Sequence, residues 1–461
     1  MSALAEAALA AAAPETDPPF LQAPVHSEES LALRFAARHA NDLRYVAPWG
    51  RWLRWDGTRW AFDDSLGAFD LARRICREAA AECEKPSTAA ALASAKCVAA
   101  VERLAKADRR LAATVKQWDA DPWVLNTPGG VIDLRTGTLR RHAPEYHHTM
   151  ITAVAPGGDC PRWRMFLDDV TDGDKGLQAF LQRLAGYGLT GSTREHSLAF
   201  LYGTGANGKS VFTATIAGVL GDYHKTAPIE TFTASAGDRH PTDLAMLRGA
   251  RLVTVVETEE GRRWAESRIK SLTGGDTIAA RFMRRDFFEF KPQFKLLIAG
   301  NHKPALRSVD EAIRRRFHLV PFTVTIPAEK RDPDLCEKLQ GEWPGILAWA
   351  IDGCLAWQRD GLMPPDAVID ATAHYLDGQD AIAAWLDETC TKDPEAWETR
   401  VDLFASWKAW AEKSGEFVLP RRRFLDAFET RGFTSHRRNS GRGFYGVRIN
   451  RHDNSDAYWN R

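Results

Sequence analysis

The residues with the most chemistry in this 461-residue chain are Gly203-Thr204-Gly205-Ala206-Asn207-Gly208-Lys209-Ser210. They complete the spacing GxxxxGK[ST], in which a glycine-rich loop cradles a polyphosphate. Gly203, Gly205 and Gly208 allow the backbone to bend and approach an anion. Successive N–H groups and the positive end of the following helix then face it. Lys209 would reach the β and γ phosphates, and the Ser210 hydroxyl would bind magnesium. All eight loop residues therefore count as contacts to ATP and Mg2+.

Three further groups could complete such a site. Glu257, Thr258, Glu259 and Glu260 follow the run Arg251 to Val256. A carboxylate placed there holds the magnesium shell, and another orients the attacking water. Glu257 and Glu259 are the leading candidates and Glu260 the third, with a solvated acidic turn as the alternative. Gly300-Asn301-His302 follows the run Phe294 to Ala299, and an amide at that place would contact the γ phosphate or its water. Asp310 to Phe317 carries Arg314, Arg315 and Arg316. One of these arginines could enter a neighbouring subunit's site, or the three could form a solvated helix face or contact nucleic acid.

The elements that must hold these residues are legible as patterns. Ser197 to Tyr202 is short, apolar and aromatic, so it reads as a buried strand, whereas Ser210 to Leu220 has helical length. Arg251 to Val256, Phe294 to Ala299 and His318 to Val324 read as further strands, the first being continuous enough for a central parallel position. Thr277 to Met283 and Phe287 to Phe290 read as a hairpin with Arg284-Arg285-Asp286 at its tip.

In this order the segments GTGANGKS, RLVTVVETEEG, SRIKSLTGGDTIAARF, FFEFKPQFKLLIAGNHKP and DEAIRRRF resemble the superfamily 3 helicase core of phage and plasmid primase/helicases, relatives of the poxvirus primase/helicase. LNTPGGVIDLRTGTL, from Leu125 to Leu139, resembles the domain that precedes that core. The resemblance implies an α/β fold: a P-loop, AAA+-like motor behind an α+β N-terminal domain. It gives Lys209 and Ser210 the Walker A role, Glu257 and Glu259 the Walker B role with Glu257 on the metal, and Asn301 the sensor role. It selects Arg316, directly before an apolar strand, as the finger. Many members place two acidic residues side by side after the Walker B strand, whereas Thr258 separates Glu257 from Glu259 here. It also implies a ring, most simply a hexamer, moving 3′ to 5′ on single-stranded DNA. The hairpin would then face that strand, with Arg284 and Arg285 as contacts working through phosphate charge. A surface hairpin with solubilising arginines is the alternative.

Toward the C-terminus, Ala381 to Glu388, Val401 to Lys413 and Arg421 to Thr430 read as three helices, followed by the alternating stretch Gly443 to Ile449. That order suggests a winged helix whose third helix, with Arg421, Arg422 and Arg423, approaches DNA. A small helical cap with an ordinary basic surface is the alternative. Near the start, tryptophans and arginines interleave around Asp56-Gly57, a hairpin signal. Packing against a helix such as Leu71 to Glu84 explains them better than base stacking does.

Composition bounds these readings. A net charge of zero means that attraction to DNA must come from local patches, and 44% hydrophobic residues suffices for two or three domains. Seven scattered cysteines without a CxxC pair suit a reducing cytoplasm, which the phage and plasmid resemblance would make that of a bacterial host cell, and argue against a zinc ribbon. His142, His147 and His148 have no partner spacing for a metal. No run of about twenty apolar residues appears. The expected division is a disordered start over 1–25, an accessory domain over 26–185, a motor over 186–375 and a winged helix over 376–461. The expected activity is ATP-dependent unwinding in phage or plasmid replication, with origin DNA and a separate primase as partners. No priming is expected from this chain, because no polymerase carboxylate set is found. The competing expectation is a replication initiator that binds DNA and uses ATP only as an assembly switch; a packaging or remodelling ATPase acting on protein is a third.

Overall fold

In the computed structural model, the described residues are 23–234, 242–256, 263–283, 286–306, 309–377, 381–414, 416, 418–438 and 441–450. The expected disordered start over 1–25 lies almost wholly outside them. The chain folds as two compact units, one of residues 1–156 with Gly221–Tyr223, the other of 157–220 with 224–461.

In the first unit, strands β1 (Leu43–Val46), β2 (Arg51–Trp55), β3 (Trp60–Phe62) and β4 (Ala112–Ala113) form a sheet in the order β3-β2-β1-β4. One core joins Trp52 to the helices Glu28–His39, Gly67–Ala81 and Ala95–Ala105 through Leu31, Phe35, Ile75 and Val101. Trp52 Nε1 donates to Glu102, and Trp60 is fully buried with Val46, Leu53 and Trp118. The interleaved tryptophans of this hairpin are therefore mainly packing groups. The turn is fixed by Asp56, whose Oδ1 accepts from the N–H groups of Thr58 at 2.7 Å and Arg59 at 2.8 Å. A second small sheet holds β5 (Val124–Thr127), β6 (Gly130–Asp133) and β7 (Thr138–Arg140).

The second unit is built on a five-stranded sheet. Its strands are β8 (Leu198–Tyr202), β9 (His224–Pro228), β10 (Leu252–Val256), β13 (Lys295–Gly300) and β14 (Phe317–Pro321), while β11 (Ile278–Ala280) pairs with β12 (Phe288–Phe290) as a separate antiparallel hairpin. The order across the sheet is β14-β8-β13-β10-β9, and every pair is parallel. Central strands of a parallel sheet are covered on both faces, so β8 and β13 are apolar almost throughout. The exception in β13 is Lys295, and Arg251 stands directly before β10; both are buried. Lys295 donates to Thr190 O and Arg251 to Leu189 O, so two cations cap the carbonyl end of the helix Lys175–Leu189. Burial pushes the Lys295 ammonium well below its usual range, and Arg251 beside it adds to the effect.

That helix packs on Trp343–Asp360 at glycine contacts. A Cβ at Gly186 would lie 2.0 Å from Cys354 N, so the two backbones touch only because the position has no side chain. Asp168 and Asp169 end the helix Pro161–Thr171, and the Asp174 side chain caps the next by accepting from Leu177 N.

The chain ends in helices Ala381–Thr389, Arg400–Lys413 and Arg421–Thr430 with the strands β15 (Cys390–Thr399), β16 (Ser435–Arg438) and β17 (Gly441–Ile449). These strands form a sheet in the order β15-β17-β16. Trp385, Trp407, Phe424, Phe428 and Phe444 make its aromatic core. Among the described residues no helix is long and apolar enough to cross a membrane.

Candidate active site

The crest of the parallel sheet positions the site. The loop leaves β8 at Tyr202 and enters the helix Lys209–Leu220, so it lies at the carboxyl ends of the strands. β8 is also where the strand order reverses: the chain passes from it to β9 at one edge, and β14 later returns on its other side. Open α/β sheets bind ligands at such a switch point.

The loop's shape depends on residues that tolerate unusual backbone angles. Gly205, Ala206 and Gly208 have φ of 109°, 49° and 85°. Ala206 is the costly one, since a Cβ disfavours this region. Gly203 answers to crowding instead, because a Cβ there would sit 2.0 Å from Phe322 O and 2.1 Å from Asn207 Nδ2. Gly203→Ala should therefore destabilise the fold by about 1–3 kcal/mol through overpacking, read as a lower midpoint in thermal unfolding.

Lys209 is buried, and its ammonium donates to Gly203 O at 2.7 Å, Asn207 Oδ1 at 3.0 Å and Asn301 Oδ1 at 3.2 Å. All three partners are neutral. Among the described residues this cation forms no ion pair, and burial lowers its pKa. A buried charge without a counter-charge is costly, and an anionic ligand would offset that cost. Ser210 is exposed and lines the same cleft, which has a volume of about 380 Å3. Asn301 stands directly after β13 and also lines it. Lys209, Ser210 and Asn301 are thus brought together.

Two other lining residues had no signal in the sequence. His224 opens β9 and its Nε2 pairs with Thr254 Oγ1 of β10 at 2.7 Å. Burial, then the nearby Lys225, pushes the imidazole pKa down. Their partnership follows from the parallel register of β9 on β10, which no local spacing reveals.

Arg316 lies at the opposite end of the sheet from the loop. Phe317 pairs with Leu198 and Pro321 with Tyr202, so the arginine precedes β14 where β8 begins. A five-residue strand spans about 15 Å, which separates Arg316 from the loop of its own chain. The residue is buried, and its Nε donates to Thr273 Oγ1 at 3.2 Å and its Nη1 to Ala312 O at 2.7 Å. Desolvation, then Arg315, lowers its pKa, while Asp310 and Asp276 oppose the shift. Arg314 pairs with Asp377, and Arg315 is exposed.

Glu257, Glu259, Glu260, Arg284 and Arg285 lie outside the described residues. What is described of the hairpin is aromatic: Phe282 and Phe287 are 41% and 61% exposed, with the Arg281 guanidinium 4.9 Å from the Phe287 ring centroid. Arg421, Arg422 and Arg423 are all exposed in the first turn of their helix.

The family described as "D5 N terminal like" matches residues 32–172, and a family of unknown function, DUF5906, matches 201–316, from the end of β8 to Arg316. The chain is 28% identical over 272 residues to "Putative helicase 022R" of Frog virus 3 (isolate Goorha), covering 54% of this chain and 28% of that protein. It is 24% identical over 350 residues to "Putative helicase L207/L206" of Acanthamoeba polyphaga mimivirus, covering 70% of this chain and 36% of that one. The chain thus spans about a third of the length of these relatives. In fold it is similar to the apo structure of the NrS-1 C terminal region, with a TM-score of 0.51 at 10% identity, covering 92% of this chain and 99% of that one. Residues 32–172 thus match the D5 N terminal like family and residues 201–316 match DUF5906, and the chain is similar to viral proteins named as putative helicases, which bears out the primase/helicase resemblance of its motifs.

Proposed function

We propose that this chain is an ATP-driven DNA helicase of replication, working as a ring that moves along single-stranded DNA. The observation that carries the reading is the buried Lys209 ammonium, held among the described residues by neutral oxygens at the crest of a parallel sheet. The loop from Gly203 to Ser210 would hold the triphosphate, and Ser210 with Glu257 would hold magnesium. Bound magnesium supplies charge neutralisation and phosphate orientation. Lys209 stabilises negative charge on the outer phosphates, Asn301 orients by its amide, and Glu259 is the candidate to align the attacking water. The sheet order and loop suit a P-loop, AAA+-like motor, and a hexamer is the assembly proposed. The motor's phage or plasmid origin and the bacterial cytoplasm belong to the same proposal.

For DNA, the hairpin and the C-terminal helices are the proposed contacts. In sequence the latter run helix, strand, helix, helix, strand, strand, which fits a winged helix. Three arginines in the first turn of Arg421–Thr430 oppose the helix dipole, each at a cost of a few tenths of a kcal/mol to about 1 kcal/mol. Phosphates against that turn would reverse the sign. Replacing Arg421, Arg422 and Arg423 together by Ala should weaken DNA binding and lower the slope of log K against log salt by about 2–3, measured by fluorescence anisotropy.

The same basic unit favours a second reading, an initiator that binds DNA and uses ATP only as a switch. Strand displacement separates the two. Duplexes with a 3′ or a 5′ tail should open with ATP on one tail polarity, the 3′ tail under the family resemblance, and single-stranded DNA should stimulate hydrolysis. Hydrolysis unaffected by single strands, with neither duplex opened, would sink the helicase reading.

A further inference from the structure

The GxxxxGK[ST] pattern leaves position 207 open, and phosphate binding by backbone N–H groups does not require a buried carboxamide there. Asn207 is nevertheless 3% exposed, with both ends of its amide engaged. Nδ2 donates to Phe322 O at 2.7 Å, and Oδ1 accepts from Lys209 Nζ at 3.0 Å. Turning the amide over would set an NH2 group against an ammonium and a carbonyl against a carbonyl, so the network admits one orientation. The segment after β14 is bound to the loop at two more points: Phe322 N donates to Tyr202 O at 2.8 Å, and Ile326 N to Ala206 O at 2.9 Å. The absent side chain at Gly203 makes room for this junction.

We propose that Asn207 is a positioning residue, which holds the Lys209 ammonium at the loop and ties the loop to the chain leaving β14, the strand that begins directly after Arg316. This rests on the nucleotide reading above. A free lysine side chain loses rotamer entropy when it is fixed, and an ammonium already fixed has less of it left to lose when phosphate binds. A phosphate oxygen must displace one of the three oxygens on Lys209. The Asn301 contact is the longest at 3.2 Å and comes from an exposed side chain, so it yields. Asn207, buried and anchored at its far end, stays.

The test is equilibrium binding of a fluorescent, non-hydrolysable ATP analogue to the full chain, with thermal unfolding run alongside, for wild type, Asn207→Ala and Asn207→Asp. Both variants lose the donor to Phe322, but only the aspartate adds a carboxylate that pairs with Lys209 and repels phosphate. Affinity should fall about tenfold in Asn207→Ala and about tenfold further in Asn207→Asp, which is nearly isosteric but sets a carboxylate oxygen against Phe322 O, so its unfolding midpoint is compared with that of Asn207→Ala. Equal losses in the two variants, or losses that simply follow the unfolding midpoint, overturn the role for Asn207. A wild-type chain that binds no analogue instead overturns the nucleotide reading itself.

Discussion

Lys209→Ala should reduce ATP turnover by at least about 10²- to 10³-fold, the size expected for deleting one preorganised donor to transition-state charge. Duplex opening should be lost with it. The magnitude follows from where the ammonium sits: buried, beside Asn301, with no carboxylate partner among the described residues to share its charge. The substitution also leaves Gly203 O, Asn207 Oδ1 and Asn301 Oδ1 without their donor, at about 1–3 kcal/mol for a buried acceptor. Stability must therefore be measured separately, by the midpoint of thermal unfolding. Turnover within about threefold of wild type, in a chain that still folds, would remove Lys209 from catalysis. Single-turnover hydrolysis at saturating ATP is the appropriate measurement, because it separates the chemical step from binding.

The parts of this site that were legible in the sequence are those whose signals are local. β8, β10 and β13 are buried on both faces, and continuous apolar runs announce them. Lys209 follows from the GxxxxGK[ST] spacing after β8, and Asn301 stands directly at the end of the run of β13. β9, with the sequence HKTAP, has no such signal: it is an edge strand, half exposed, whose pairing with β10 decides its conformation. β15 hides for another reason, since Asp393-Pro394 reads as a turn and the register with β17 does shift between Asp393 and Trp397. Tertiary partners are the other silent class. The Asn207 contact to Phe322 O spans 115 residues, and the reading of a strand over His318 to Val324 hides it by assigning Phe322 to a ladder. β14 ends at Pro321, and the next carbonyl is thereby released to the loop.

Arg316→Ala should lower turnover by about 10³- to 10⁵-fold if the residue completes a neighbour's site, as a finger supplied in trans does. Geometry within one chain favours trans over cis, because β14 carries Arg316 to the end of the sheet away from its own loop. The structure also gives the residue a local role that must be separated from catalysis. Its bonds to Thr273 Oγ1 and Ala312 O join the helices Glu266–Gly274 and Glu311–Arg314, and losing them would cost stability. Nη2 has no hydrogen-bond partner among the described residues, so the outer side of the guanidinium fork is where a phosphate could be met. Mixing resolves the two roles. Arg316→Ala subunits combined with Glu257→Gln subunits should hydrolyse ATP faster than either alone, since some interfaces then join an intact arginine to an intact acidic group. A residue that acts only on its own fold gives a mixture no better than the average of its parts. Full activity of a monomer in ATP would end the finger assignment directly, because a site complete in one chain needs no neighbour's charge.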